Sequence, residues 1–180
     1  MKWNLDVTHS QVEFSVKHMM ISTVRGRFSA ITGSGETSST GALSSVSVEV
    51  DVKSIDTNQT QRDEHLRSAD FFDVAAFPKL TFVSTTIAQT GEEITITGNL
   101  TIKDVTKSVT LKGEFSAPIT DPWGNTRAGL GVTGKINRKE FGLGWNMALE
   151  TGGLVVSDEV KLTIEVEATA VVEVAEAAAV

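Results

Sequence analysis

The chain has no cysteine, few aromatic residues, a shortage of positive charge and no long apolar run, and each shortage removes a class of protein. Without cysteine there can be no disulfide, no thiolate metal site and no cysteine nucleophile, while the redox compartment stays open. Nowhere in the 180 residues is there a stretch near the roughly 20 apolar residues of a spanning helix, and MKWNLDVTHSQVEF lacks the apolar run of a signal peptide. As written, the chain is expected in the cytoplasm, or in the periplasm or outside the cell if a leader was removed. Lys and Arg number 16 against 23 Asp and Glu, a formal net charge of −7. That balance disfavours nucleic acid, or an anionic membrane, as principal partner.

What the chain does have is alternation. Val12, Phe14, Val16, His18 and Met20 share one parity against Glu13, Ser15 and Lys17. Val46, Val48, Val50 and Val52 alternate with Ser47, Glu49, Asp51 and Lys53. The same period runs through Leu80 and Phe82, then Ile94, Ile96, Gly98, Leu100 and Ile102, then Val109, Leu111, Gly113 and Phe115. Leu130, Val132, Gly134 and Ile136 follow, and Val160 to Ala168 closes the series. Gly26 and Gly98 are read as bends, and Thr32 to Gly41, rich in Ser, Thr and Gly, as an exposed loop. About eight strands on short turns imply an antiparallel meander. Closed into a barrel it abolishes its edges, and a barrel of that size is filled by its own side chains or holds one small ligand. A packed sandwich fits the same alternation. With aromatics at 6%, the small inward residues are compatible with an unfilled lumen if the sheet closes.

Thr57 to Phe82 breaks the pattern. Thr60 as cap, Asp63 in the first turn and no Gly, Pro or β-branched residue from Gln61 to Ala69 predict a short helix over 61–70, with Asp63 pairing Arg67. Such a helix is marginal alone and must dock on the sheet.

Several motifs mislead. Gly129 to Lys135 has dinucleotide-loop spacing, but its glycines alternate with Leu130 and Val132 inside a strand, and Ile136 stands where a phosphate loop needs Ser or Thr. Asn58-Gln59-Thr60 and Asn99-Leu100-Thr101 match the glycosylation sequon, which says nothing of mechanism. His9, His18 and His65 lack metal-ligand spacing, and Ser10 beside His9 lacks the strained turn of a hydrolytic nucleophile. No metal, cofactor or catalytic residue is therefore expected. His18, ending an apolar strand face shortly before Arg25 and Arg27, is either a hydrogen-bonded core histidine or part of a polar mouth above an apolar lumen, where Arg62 and His65 would join it.

At these residues the chain resembles the YceI family of bacterial lipid-binding proteins. The resemblance is carried in order by Trp3 with Leu5-Asp6 and His9-Ser10, Phe14-Ser-Val-Lys-His18-Met, Val24-Arg-Gly-Arg27-Phe and Ser54-Ile-Asp-Thr57. It continues through Arg62-Asp-Glu-His65-Leu, Asp70-Phe-Phe-Asp73, Phe77-Pro78, Phe82 with Ser84-Thr85 and Gly98-Asn-Leu-Thr-Ile102. Val105-Thr-Lys107, Ile136-Asn-Arg138 and Phe141-Gly-Leu143 complete it. It implies an all-β fold: an extended, lipocalin-like, antiparallel up-and-down barrel of about eight strands with one short α-helix packed against it. The barrel would span 1–168, leaving 169–180 as a low-complexity tail. It further implies non-enzymatic binding, transport or storage of a polyisoprenoid or similar long-chain amphiphile in an internal apolar channel. By this resemblance Val12, Phe14, Val16, Val48, Val50, Phe82, Leu100 and Ile102 are lumen candidates, and His18, Arg27, Arg62 and His65 rim candidates. A homodimer is a possible assembly. Two other readings stay open: a lipocalin-like enzyme acting on a lipid or quinone with His18 or His65 as acid or base, and a ligand-free stress or interaction module.

Overall fold

The structure, a computed structural model, describes residues 1–150 and 152–172. Its strands are β1 (Lys2–Leu5), β2 (Gln11–His18), β3 (Ser22–Phe28), β4 (Ile31–Thr37), β5 (Leu43–Asp51) and β6 (Ile55–Asp56), then β7 (Lys79–Thr90), β8 (Glu93–Ile102), β9 (Val105–Thr120), β10 (Thr126–Asn137) and β11 (Glu159–Ala170). Helix α1 (Thr60–Arg67) lies between β6 and β7. Because β1 pairs with both β4 and β11, the ring β1-β4-β5-β7-β8-β9-β10-β11 closes on itself. β1 and β2 run end to end along β11, with Leu5 opposite Ala168 and Phe14 opposite Leu162. β3 and β4 run end to end beside them. The eleven segments thus make an eight-stranded antiparallel barrel with one helix, and closure removes the free edges that invite pairing with another chain.

Period-two alternation sorts the side chains as expected, except that β2 ends at His18 and Met20 lies exposed in the turn beyond it rather than facing inward. Ile94, Ile96, Leu100 and Ile102 of β8 and Val109, Leu111 and Phe115 of β9 are buried inside. Gly129 to Lys135 lies within β10, paired on both sides, as a strand and not a phosphate loop. Neither expected glycine bend takes the form anticipated. β2 and β3 pair without interruption past Gly26, where a Cβ would stand 2.4 Å from Phe14 Cζ. At Gly98 a Cβ would meet Phe82 Cζ at 2.4 Å and the Val83 carbonyl at 2.6 Å, and the irregularity falls on the partner strand between Ser84 and Thr86. Both glycines leave room for a ring across the strand pair.

Expectations for one loop and for the helix need correction. Thr32 to Gly41 is not a loop: as far as Thr37 it is β4, whose inward positions Ile31, Gly33, Gly35 and Thr37 hide the alternation because two of them have no side chain. Helix α1 ends three residues before the expected 70, at Arg67, where Ser68 turns extended and its hydroxyl donates to the His65 carbonyl. Its cap is Gln59, whose side chain accepts from the Arg62 amide, rather than Thr60. Asp63 does not pair with Arg67. It is buried and accepts from the Thr57 amide and hydroxyl, while Arg67 donates to the carbonyls of Lys53 and Ile55 and so ties the helix to the sheet. β11 continues through Ala170, beyond the boundary at 168, and the Val171 amide donates to the Lys2 carbonyl. Residues 173–180, most of the expected tail, lie outside the described residues.

One end of the barrel is plugged. Trp3, Leu43, Ile94 and Phe115 are buried there, and Trp3 Nε1 donates to Thr37 Oγ1 at 3.0 Å, satisfying an otherwise stranded indole N–H. At the other end stand α1, the β2–β3 turn and the segment 142–158 that joins β10 to β11.

Candidate functional site

Barrel interiors are normally filled by their own side chains, and this one is not. Between the plug and the helix lies a cavity of about 640 Å³, within the range of sites that take one small molecule. Its walls are the inward residues of almost every strand. The eight residues expected in the lumen, Val12, Phe14, Val16, Val48, Val50, Phe82, Leu100 and Ile102, all line it. Val50, Leu100 and Ile102 are buried, whereas Val12, Phe14, Val16, Val48 and Phe82 are only half-buried although they face inward. Their remaining accessible surface is the surface of the cavity. Phe14 packs at a tilt on Phe28 (5.6 Å between ring centres), which meets Phe72 edge-on at 6.0 Å. The segment after the helix thereby completes the wall that β6, only two residues long, leaves short.

Polar side chains gather at the unplugged end. His18, Arg62 and His65 line the cavity, and so do the exposed Gln59 and Gln61, which mark its opening. Arg62 Nε donates to Thr57 Oγ1 at 2.7 Å and Nη2 to the Thr57 carbonyl at 2.8 Å; the same hydroxyl donates to the buried Asp63 at 2.6 Å. The Arg62 stem is thereby held against the rim. His65 Nε2 lies 2.9 Å from Asp70 Oδ2, and its ring meets Phe71 and Trp145 edge to face at 5.1 and 4.7 Å. Arg27, the fourth rim candidate, is not brought to the site. It shares the outward parity of Arg25, opposite Gly26 and Phe28, and pairs in solvent with Asp56 at 3.2 Å. The Asn58 amide and then Arg27 hold the Asp56 carboxyl below its ordinary value.

Sequence reasoning missed the residue that builds the other half of the opening. Arg138 is 3% exposed and donates to the carbonyls of Ser157, Leu143, Trp145 and Val156, gathering an irregular segment into a wall. Burial pushes its pKa down and Asp158 pushes it back up. Leu143, Trp145, Val155 and Val156 of that segment line the cavity. No periodicity marked them. Arg138 did stand within a quoted motif, yet a charge just past a strand end reads as surface.

A second polar cluster lies outside the barrel. Arg127 meets Asp121, Asp6 and Glu167 at 2.8, 2.8 and 2.5 Å, and His9 Nδ1 lies 3.0 Å from Asp6. Thr8, His9 and Arg127 hold Asp6 well below the usual carboxylate range, Arg127 does the same first of all for Asp121, and Asp121 leads in raising Arg127. Asp6, His9 and Glu167 are the one group with metal-ligand proximity among the described residues, but the Arg127 guanidinium already supplies the cation between them. It is a clamp joining β10, β11 and the β1–β2 connection.

Known proteins agree with this architecture. The YceI-like domain model matches residues 3–168. Protein YceI of Salmonella newport is 41% identical over 160 residues, covering 88% of this chain and 81% of that protein. The crystal structure of BcnA from Burkholderia cenocepacia superposes with a TM-score of 0.78 at 25% identity, covering 91% of this chain and 98% of that one. A domain from Saccharophagus degradans, described as a polyisoprenoid binding domain implicated in plant cell wall breakdown, shares the fold with a TM-score of 0.66 at 17% identity, over 94% and 98% of the two chains. With its family model spanning nearly the whole barrel and a relative at this identity, the chain belongs to the YceI-like family.

Proposed function

We propose that the protein is a non-enzymatic carrier or reservoir that holds one polyisoprenoid-like chain inside the barrel with its polar end toward His18, Arg62 and His65. The observation that carries this reading is the cavity itself: about 640 Å³ inside a closed barrel, walled mostly by aliphatic and aromatic groups, with His18, Arg62 and His65 at its open end. A flexible hydrocarbon gains roughly 0.8 kcal/mol for each methylene it buries, which offsets the freedom it loses on being ordered. Binding of this kind requires no reacting group. The His65 ring is held by Asp70 and two aromatic faces, an arrangement suited to fixing a rim. Val12, Phe14, Val16, Val48, Val50, Phe82, Leu100 and Ile102 then contact the chain. The family kinship and the shared barrel are compatible with the reading, and the cavity supports it independently.

The test is titration with geranylgeraniol, a prenyl alcohol, followed by native mass spectrometry and analysis of the recovered alcohol. A saturable complex near one per chain with unaltered alcohol is expected. Absence of uptake would overturn the carrier reading, and conversion to product would favour the enzyme.

A further inference from the structure

Part of the unplugged end of the barrel, away from the polar face of α1, is apolar outside as well as inside. In the turn between β2 and β3, Met19 is 41% exposed, Met20 77% and Ile21 84%; facing them from the segment 142–158, Met147 is 58% exposed and Leu154 38%. These residues form one tip. The Met19 amide donates to the Val155 carbonyl at 2.7 Å, the Val155 amide to the Met147 carbonyl at 3.0 Å, and Ala148 pairs with Leu154. Met20 Sδ lies 3.1 Å from where a Gly153 Cβ would stand. The inner side of the same wall, His18, Val155 and Val156, lines the cavity.

Two further observations make the tip more than a few stray apolar side chains. The Ile21 amide donates to the His18 carbonyl across a turn whose central residues, Met19 and Met20, both have positive φ, at 52° and 58°. That mirror-image turn is the natural place for Asn-Gly, and each methionine there costs about 1–2 kcal/mol. A strained backbone that exhibits large apolar side chains to water points to a use for them. Charge is also withheld from the tip, in contrast to α1, which carries Arg62, Asp63, Glu64 and Arg67. In a protein with 22% charged residues, the stretches 18–24 and 142–157 carry a single one, Glu150.

We propose that this tip inserts into the surface of a zwitterionic lipid bilayer, so that the mouth opens against the membrane and the ligand passes without crossing water. The proposal rests on the lipid-carrier reading of the cavity. The occupant follows from the chemistry of the tip: a nearly uncharged apolar projection beside the mouth of an apolar channel matches the interfacial region of a bilayer. A formal charge of −7 disfavours strongly anionic surfaces.

The experiment compares the wild type with a triple variant, Met19→Asn, Met20→Gly and Ile21→Ser, which supplies the residues the turn prefers and touches no cavity-lining side chain. Vesicle flotation with phosphatidylcholine is paired with uptake of geranylgeraniol, delivered either from those vesicles or from ethanolic solution. The wild type is expected to float, and the variant to lose about ten-fold in vesicle affinity and in the rate of uptake from vesicles, with uptake from solution unchanged. A wild type that does not float, or a variant that floats equally well, would overturn the proposal. Self-association abolished by the variant, without vesicle binding, would overturn it in favour of a second copy as occupant. Flotation that depends on the tip, together with no uptake by either route, would uphold docking and reject the carrier reading on which its purpose rests.

Discussion

Replacing Arg138 with Met removes the donors that four carbonyls of the mouth segment share while keeping most of the side-chain volume. The bonds run from 2.5 to 3.3 Å, to Leu143, Trp145, Ser157 and Val156. Charge-assisted hydrogen bonds contribute about 1.5–3 kcal/mol each, so simple addition overstates the case. Burial already disfavours the guanidinium charge, and deleting it recovers part of that desolvation cost. Carbonyls in an irregular segment can also turn toward water. The expected loss is about 3–5 kcal/mol, the range for breaking a buried charged cluster from one side. Urea unfolding followed by far-UV circular dichroism reads the global loss, and amide hydrogen exchange over 143–157 reads the local one. Arg138→Lys, a point charge without the planar fork, should recover less than half. A loss under about 1 kcal/mol with unchanged exchange would refute the idea that Arg138 assembles this wall.

Other expectations follow from the same geometry. Val48→Trp, at a half-buried position on the cavity wall, should cut geranylgeraniol uptake about ten-fold with little change in Tm; unchanged loading in a folded variant would remove Val48 from the lumen. Gly26→Ala meets side chains alone, the Phe14 ring and Thr57 Cγ2, and should cost about 1–2 kcal/mol, whereas Gly98→Ala also meets the Val83 carbonyl, which is backbone, and should cost about 2–3 kcal/mol. Denaturant midpoints in the reverse order would contradict this. His18→Ala should weaken a prenyl alcohol more than the matching hydrocarbon, and equal losses in calorimetric titration would take His18 out of the rim. Asp6 and Asp121 have folded-state pKa values depressed well below their unfolded ones. Their stabilisation is complete above the unfolded value near 4 and is lost as pH falls below it toward the folded values. Arg127→Gln should therefore flatten the acid limb of the stability–pH curve, and an unaltered limb would show that the clamp is not coupled to folding.

Much of the barrel was legible because one physical fact, alternate side chains on opposite faces, writes itself directly into residues such as Val46 to Val52 and Ile94 to Ile102. The eight lumen candidates, named through the family resemblance, all line the cavity. Alternation also places Arg27 on the parity opposite to Phe28, facing outward with Arg25. β4 was hidden because Gly33 and Gly35 face inward beneath Leu5 and Leu43, so the signal that usually marks a strand was supplied by neighbouring strands. The helix was found but overrun, since nothing in Ser68 to Asp70 announces the extended turn at Ser68. The mouth segment was invisible for a different reason. Its shape is imposed by one buried guanidinium reaching four carbonyls, a constraint with no period in sequence.

The most direct test of the central claim is to purify the protein without added lipid, extract it with organic solvent under denaturing conditions and analyse the extract by mass spectrometry. A single prenyl-chain species near one per chain is the predicted result. An empty extract, from protein that also takes up no geranylgeraniol when offered it, would contradict the account.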